Sequence, residues 1–440
     1  MSPSLLAGVA AADISPPVGV PLSGYGAREG PNLGVHDPVQ AKALALAADE
    51  TGLVLITADL VGLDAPTVAR LRSAVAARTG LPPGHIMVSC SHTHSGPATR
   101  AAPYVGWPDA AHLSLLERRA ADAAVAAWDS RQPAAAAWGE GEVHIGINRR
   151  QQLPGGDVVI GENATGVVDP AVHVLRVDRA DGQPLAIFFS HAAHAVTLGG
   201  DNLLVSADWP GAAQRTLEAL YGGAATALFG QGCCADINSH PRGTFEIVAE
   251  QGQAVAAEVK RVADALRPSP DMPLGAAQVT IALPRVAPPG PEECRATLAR
   301  VRAEQHEMHA QDNWGMRLLR EGYVEWAART LWLSEHQPEG ASTPFEVQAL
   351  RVGDGAVVGL PAEVFVEYQL AVKAASRWPH TCVLSCTNGD IGYLPTAAAH
   401  AQGGYEVASS NMVYVTWAPR PEAEPLVLAA ASEALAALPA

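Results

Sequence analysis

Three stretches of the chain repeat one order of apolar and polar positions. In the first, residues 39–46 read as a strand, a polar turn follows at 49–52, and 53–57 is a continuous apolar run typical of a strand buried on both faces. A helix follows: Asp64 is its predicted N-cap, Val68, Leu71 and Val75 share a face, and Gly80 stands where a C-terminal cap belongs. Residues 85–90 are a second short strand. The second stretch repeats this with strands at 172–177, 185–189 and 226–229 and a helix starting near Asp208. The third has strands at 347–352, 356–360 and 382–386, with a helix running to about Ser376.

Each stretch is therefore a hairpin followed by a strand–helix–strand crossover, which makes strands parallel and brings their carboxyl ends to one edge. Ligands of open α/β sheets bind outside those ends. Here the ends carry Asp59, His92 and His94, His194, Asp236 and Asn238, Glu363, and Tyr393. The predicted fold class is α/β, with mixed sheets flanked by helices and built from three similar segments. Residues 134–150 read as further strands. Residues 284–291 are a proline-rich linker, and 289–337 are a helical insertion, charged and aromatic, expected as amphipathic helices packed on a sheet rather than as a cap over a site.

Composition narrows the class. In 440 residues, 48% are hydrophobic and 17% charged, enough for a packed interior and too apolar for disorder. The formal net charge of -16 argues against a basic surface for nucleic acid or anionic membrane. No apolar run is long enough for a membrane span and no signal peptide is visible, so a cytoplasmic protein is expected. The cysteines are too scattered for a disulfide scaffold, and the Cys382-x3-Cys386 pair is expected on a buried strand.

The segment VSCSHTHSGP closes one strand with His92 and His94. Two neutral imidazoles and a carboxylate are the usual catalytic zinc set, with a further position left open. Such a metal makes bound water acidic and polarises a carbonyl, which suits hydrolysis. His92, His194 and Glu363 are far apart in sequence, but a sheet built from repeats brings strand ends together. On an extended backbone His92 and His94 diverge in reach, so one ligand and one acid–base group is the economical division. Either His191 or His194 is available as the second ligand. His306-x2-His309 is read as a solvated helix face, His144 is left open, and His36 and Asp37 are either supports behind the site or turn residues.

The run His92-Thr93-His94-Ser95-Gly96-Pro97 resembles the signature of the neutral ceramidases, zinc-dependent amidases. Further elements follow in the family's order: Ala12-Asp13-Ile14-Ser15-Pro16-Pro17, Gly24-Tyr25-Gly26, Gly34-Val35-His36-Asp37, Asn148-Arg149, His194-Ala195-Val196-Thr197 with Ser206-Ala207-Asp208, Leu360-Pro361-Ala362-Glu363, Tyr393-Leu394-Pro395-Thr396, and Tyr405-Glu406. The resemblance implies a single catalytic domain over 1–440, without the C-terminal β-sandwich of true ceramidases. It implies Zn2+ held by His92, His194, Glu363 and Tyr393, thereby selecting His194 over His191. His94, Arg149 and Tyr405 would surround the scissile amide, with a zinc-bound water as nucleophile.

One departure is local. Where the family has a catalytic serine, Ala235-Asp236-Ile237-Asn238-Ser239 places Asn238, with Ser239 one residue late. Asp236 and Asn238 are carried as members of the catalytic set, and ceramide itself is not assumed as substrate. The expected function is a zinc-dependent hydrolase of an amide bond in a small or lipid-like molecule. The alternatives are ester or lactone hydrolysis by the same chemistry, or a non-catalytic metal-stabilised binding protein. Retention of His94, Arg149 and Tyr405 favours an enzyme, since a binding protein needs no acid–base groups beside its metal. The sequence leaves the oligomeric state open.

Overall fold

A computed structural model of the chain describes residues 5–26, 28–100, 107–308 and 314–439, without the side chains of 306–308. Each of the three stretches folds as a hairpin with a parallel crossover. Gln40–Ala48 pairs antiparallel with Thr51–Ala58, which runs parallel to Ile86–Cys90. Ala171–Arg179, Pro184–His191 and Thr226–Gln231 repeat the arrangement, as do Ser342–Val352, Gly355–Gly359 and His380–Leu384. The crossover helices are Ala65–Thr79, Asp208–Leu220 and Val366–Ala375. The first begins where expected: the Asp64 carboxylate accepts from the Thr67 amide at 2.8 Å, and Gly80 ends it in the left-handed region.

The first two stretches join one eight-stranded sheet through Leu6–Asp13 and Gln132–Glu142. The third forms a separate four-stranded sheet with Leu274–Pro284. The two sheets pack face to face. Leu44, Leu46, Leu53 and Leu55 of the larger one meet Leu350, Val352, Val357 and Leu384 of the smaller. The opposite side chains of the same strands, Ala43, Ala45, Val54 and Ile56, pack with Val68, Leu71, Leu116 and Ala120 of Ala65–Thr79 and Ala110–Asp129. On the far side, Val347 and Val358 pack with Val427 and Ala431 of Ala423–Ala437. Strands covered on both faces explain the unbroken apolar runs, and each fully buried Leu or Val contributes roughly 1.5–3 kcal/mol.

Small sheets at the rim do the positioning. Glu363–Val364 pairs in parallel with Tyr393–Leu394, setting Glu363 opposite Tyr393. Ile237–Ser239 pairs with Gly146–Gln152, and His194 bridges to Asn238. The helical insertion is an antiparallel pair, Pro291–Met308 and Trp314–His336, closed on itself by Leu298, Val301, Ala327 and Tyr323. The His306-x2-His309 pair lies outside the described residues. Among the described residues no helix is long and apolar enough to cross a membrane.

Candidate active site

The strand Ile86–Cys90 ends beside Thr51–Ala58, and the chain then turns sharply: His92 has φ 61°. Its amide donates to the Leu60 carbonyl at 2.8 Å, and the His94 amide reaches Ala195 at 3.2 Å, tying the first stretch to the second. This corrects the expectation that the two histidines diverge. The left-handed residue breaks the extended geometry, and Nε2 of His94 lies 3.3 Å from Nε2 of His92. His92, His94 and His194 form a group whose ligand atoms all lie within 4.8 Å of one another, close enough to bind a metal.

The tautomers follow from the partners. Nδ1 of His92 lies 2.6 Å from the Val61 carbonyl, and Nδ1 of His194 lies 2.5 Å from the Cys234 carbonyl. A carbonyl only accepts, so each Nδ1 carries a proton, and in its neutral form each imidazole presents the Nε2 lone pair. Both Nε2 atoms sit 3.3 Å from Oε2 of Glu363, which has no other hydrogen-bond partner among the described residues. Converging acceptors with no proton between them repel unless a cation stands among them, so the donor set fits a metal ion. Burial, reinforced by the Arg149 charge, pulls His194 down to about 4, keeping its imidazole neutral as a ligand must be. The Trp209 indole holds this loop by donating to the His194 carbonyl at 3.0 Å.

Arg149 organises the other wall. Its guanidinium donates to Glu406 at 2.8 Å, to the Tyr393 hydroxyl at 3.0 Å and to Oδ1 of Asn238 at 3.4 Å. Tyr405 stands edge-on to Tyr393, with ring centroids 5.6 Å apart, and burial pushes its phenol up, so it stays protonated. A recess of 40 Å³ at Glu363 has room for a water- or ion-sized occupant. It shares His94, Tyr393 and Tyr405 with a cavity of 430 Å³ that also exposes Arg149 and Asn238 and is walled by Ile160, Val196, Met412 and Val413. A larger cleft of 640 Å³, at Trp138 and Trp378, shares no residue with either.

Residues 5–258 match the family described as neutral/alkaline non-lysosomal ceramidase, N-terminal. The chain belongs to the ceramidase family. Its fold is similar to the crystal structure of neutral ceramidase from Pseudomonas aeruginosa, with a TM-score of 0.75 at 19% identity over 100% of this chain and 76% of that one. A structure of ceramidase complexed with C2 gives a TM-score of 0.74 at 18% identity, over 99% and 75% of the respective chains. Comparison with curated proteins gives no match. Ceramidase family and fold together point to an amide hydrolase.

Several ceramidase-like positions sit elsewhere than expected. The structure does not bring the Asp236 carboxylate to the cavity. Its oxygens accept from the Val366 amide at 2.9 Å and from Asn148 at 3.1 Å, and its own carbonyl accepts from the Arg149 amide at 2.7 Å. It is a positioning residue; burial and the nearby Glu367 push it up to about 7. Asp59 likewise serves the fold, accepting from the Gln40 amide at 3.0 Å. His191 lies apart, bonded to the Ala171 carbonyl at 3.0 Å. Ser239 points away from Asn238, its hydroxyl accepting from Thr197 at 3.0 Å. Asp37 supports the loop behind His94, accepting from Ser206 at 2.6 Å, while Thr93 donates to the Ser206 carbonyl at 2.8 Å. Cys386 lies past its strand, with Sγ 3.4 Å from Nδ1 of His92. His144 is exposed on a connection between strands.

The helical insertion covers the site instead of lying only on a sheet: Leu319 and Tyr323 line the cavity. Its apolar positions serve both the helix pair and the cavity, which pattern alone does not separate. Sequence reasoning also missed Tyr414, whose hydroxyl donates to Oε1 of Glu363, and Arg242 at the cavity wall. No local signal singled out either one. Glu406 had one: it adjoins Tyr405 and faces the adjacent pair Arg149 and Arg150.

Proposed function

We propose that this chain is a zinc-dependent hydrolase that cleaves the amide bond of a small or lipid-like substrate. The observation that carries the reading is the convergence of the His92 and His194 lone pairs on Oε2 of Glu363, at the foot of a largely apolar cavity. His92, His194 and Glu363 would hold the ion, with Tyr393 completing the set. A zinc ion there supplies a Lewis acid that polarises the scissile carbonyl and brings the pKa of water to about 7.

The chain's own residues do the rest. Nδ1 of His94 has no hydrogen-bond partner among the described residues, and its ring borders both the recess and the cavity, so it is placed to move a proton to the leaving amine. The protonated Tyr405 hydroxyl is a donor for the developing oxyanion. Arg149, held by Glu406, fixes the Tyr393 hydroxyl and faces Asn238. Asn238 offers an amide where the resemblance places a serine, so the reading uses no serine nucleophile. The apolar walls suit an acyl chain.

The test is elemental analysis of the purified wild type and of His92→Ala, run beside turnover of N-acyl amides before and after chelation. The expected result is about one zinc per chain, lost in the variant, and hydrolysis that stops on chelation and returns with zinc. A metal-free protein with no gain in thermal stability on adding zinc would sink the reading. Zinc binding without turnover of any amide, ester or lactone would leave a binding protein.

A further inference from the structure

Charge around the cavity is one-sided. Among the described residues that line it there is no carboxylate, while Arg149 and Arg242 both do. Glu406 is shared between Arg149 and Arg150, at 2.8 and 2.7 Å, so one anion answers two guanidinium groups. Arg242 has no carboxylate partner among the described residues. It is aimed by two bonds, Nε to the Val196 carbonyl at 2.6 Å and one terminal nitrogen to the Tyr25 hydroxyl at 2.8 Å, which leaves the other terminal nitrogen unengaged.

Tyr25 links this cation to the reaction centre, since its ring stands edge-on to His94 with centroids 5.1 Å apart. Beneath it lies a second guanidinium, Arg28, fully buried at 0% exposure and 5.3 Å from the Tyr25 ring centroid. Arg28 donates to carbonyl oxygens, among them that of His94 at 2.6 Å, and has no ion-pair partner among the described residues. Of the acids whose charge reaches this pair, Asp208 is committed to the amides of Thr197, Leu198 and Trp209, and Asp201 is exposed and acts on Arg28. Arg242 thus faces the cavity with no carboxylate among its described lining residues, on a chain of net charge -16 that otherwise repels anions.

We infer that the substrate carries a carboxylate close to the scissile amide, bound by Arg242 at the cavity mouth, and is an N-acyl amino acid. The inference rests on the amidase reading above and adds the class of the amine half. The acyl chain takes the apolar wall, and the carboxylate, a few bonds beyond the scissile nitrogen, meets the free edge of Arg242. Fixed in direction by Tyr25 and Val196, the guanidinium selects a planar carboxylate over a hydroxyl.

The experiment compares N-lauroylglycine with N-lauroylethanolamine, which match in chain length and differ in the anion, on wild type, Arg242→Lys, Arg242→Ala and Arg242→Glu. The expected result is a higher kcat/KM for N-lauroylglycine in wild type. The ratio of the two substrates should fall roughly ten- to hundredfold in Arg242→Ala, invert in Arg242→Glu and be partly kept in Arg242→Lys. Added salt should lower the wild-type ratio. Equal or better cleavage of the ethanolamide, with a ratio that Arg242→Glu leaves unmoved, would overturn the inference and leave the amidase reading standing. If neither compound turns over, calorimetric binding of N-lauroylglycine decides. Binding lost in Arg242→Glu keeps the anion site while the hydrolase reading fails, and no binding overturns both.

Discussion

At the scale of single residues, the site depends on one close approach. Gly24 has φ +93°, and a Cβ built on it would lie 2.3 Å from Cγ of His94, so only glycine lets that imidazole stand between recess and cavity. Gly24→Ala should push the His94 ring aside without touching His92, His194 or Glu363. The expected outcome is retained zinc with kcat for N-acyl amides lower by about a hundredfold, the usual cost of misplacing a reacting group by about 1 Å. Wild-type kcat in a variant that holds its metal would show that His94 is not needed where it stands. The contributors at strand ends were readable as residue types because a strand end next to a turn is a poor place to bury His92, His194 or Glu363 without a use. The angle between His92 and His94 was not readable: it hangs on one positive φ, which a β-region assumption reverses. Nor was Tyr414, because it reaches Glu363 from a helical turn 51 residues further along the chain.

At the scale of elements, the crossovers were legible because their punctuation is local. Asp64 and Gly80 cap a helix through bonds to their own neighbours, and the run 53–57 is apolar on both faces because both are covered. What was not legible was which hairpins share a sheet and where the insertion lies, since those depend on contacts between distant stretches. One such contact is testable. Asp169, just before Ala171–Arg179, accepts from Gln369 at 2.6 Å and Lys373 at 3.0 Å on the crossover helix Val366–Ala375, joining the second stretch to the third. Burial alone would raise its carboxyl, but the bonds from Gln369 and Lys373 outweigh that and hold it below the ordinary value. A group depressed in the fold contributes stability above its unfolded pKa of about 3.9, and loses it as pH falls through the lower folded value. Asp169→Asn should therefore cost about 1–3 kcal/mol at pH 7 and flatten the loss of stability as pH falls from about 5 through the lower folded value. Urea titrations of both proteins at several pH values check this, and parallel acid limbs would reject it.

At the scale of the whole molecule, the groups that converge on the recess come from all three stretches: His92 from the first, His194 from the second, Glu363 and Tyr393 from the third. The first two belong to the eight-stranded sheet and the third to the other, so an ion held by them would tie the two sheets at their common rim. Packing of the leucines between the sheets does not need that tie, and the metal-free chain should still fold. A ligand that binds only the folded state adds about 2.7 kcal/mol at a hundredfold excess over its dissociation constant, and about 4.1 kcal/mol at a thousandfold. Stripping the protein with dipicolinate should then lower Tm by a few degrees without changing the far-UV signal, and zinc should restore it. The same treatment of Glu363→Gln should leave Tm nearly flat, because the variant lacks the carboxylate charge on which both imidazoles converge. The two curves separate a metal tie from a plain hydrogen-bonded cluster. In a hydrogen-bonded cluster a protonated histidine would bridge to Glu363, and zinc would have nothing to restore. A Tm indifferent to chelator and to zinc in the wild type would identify the recess as that second kind.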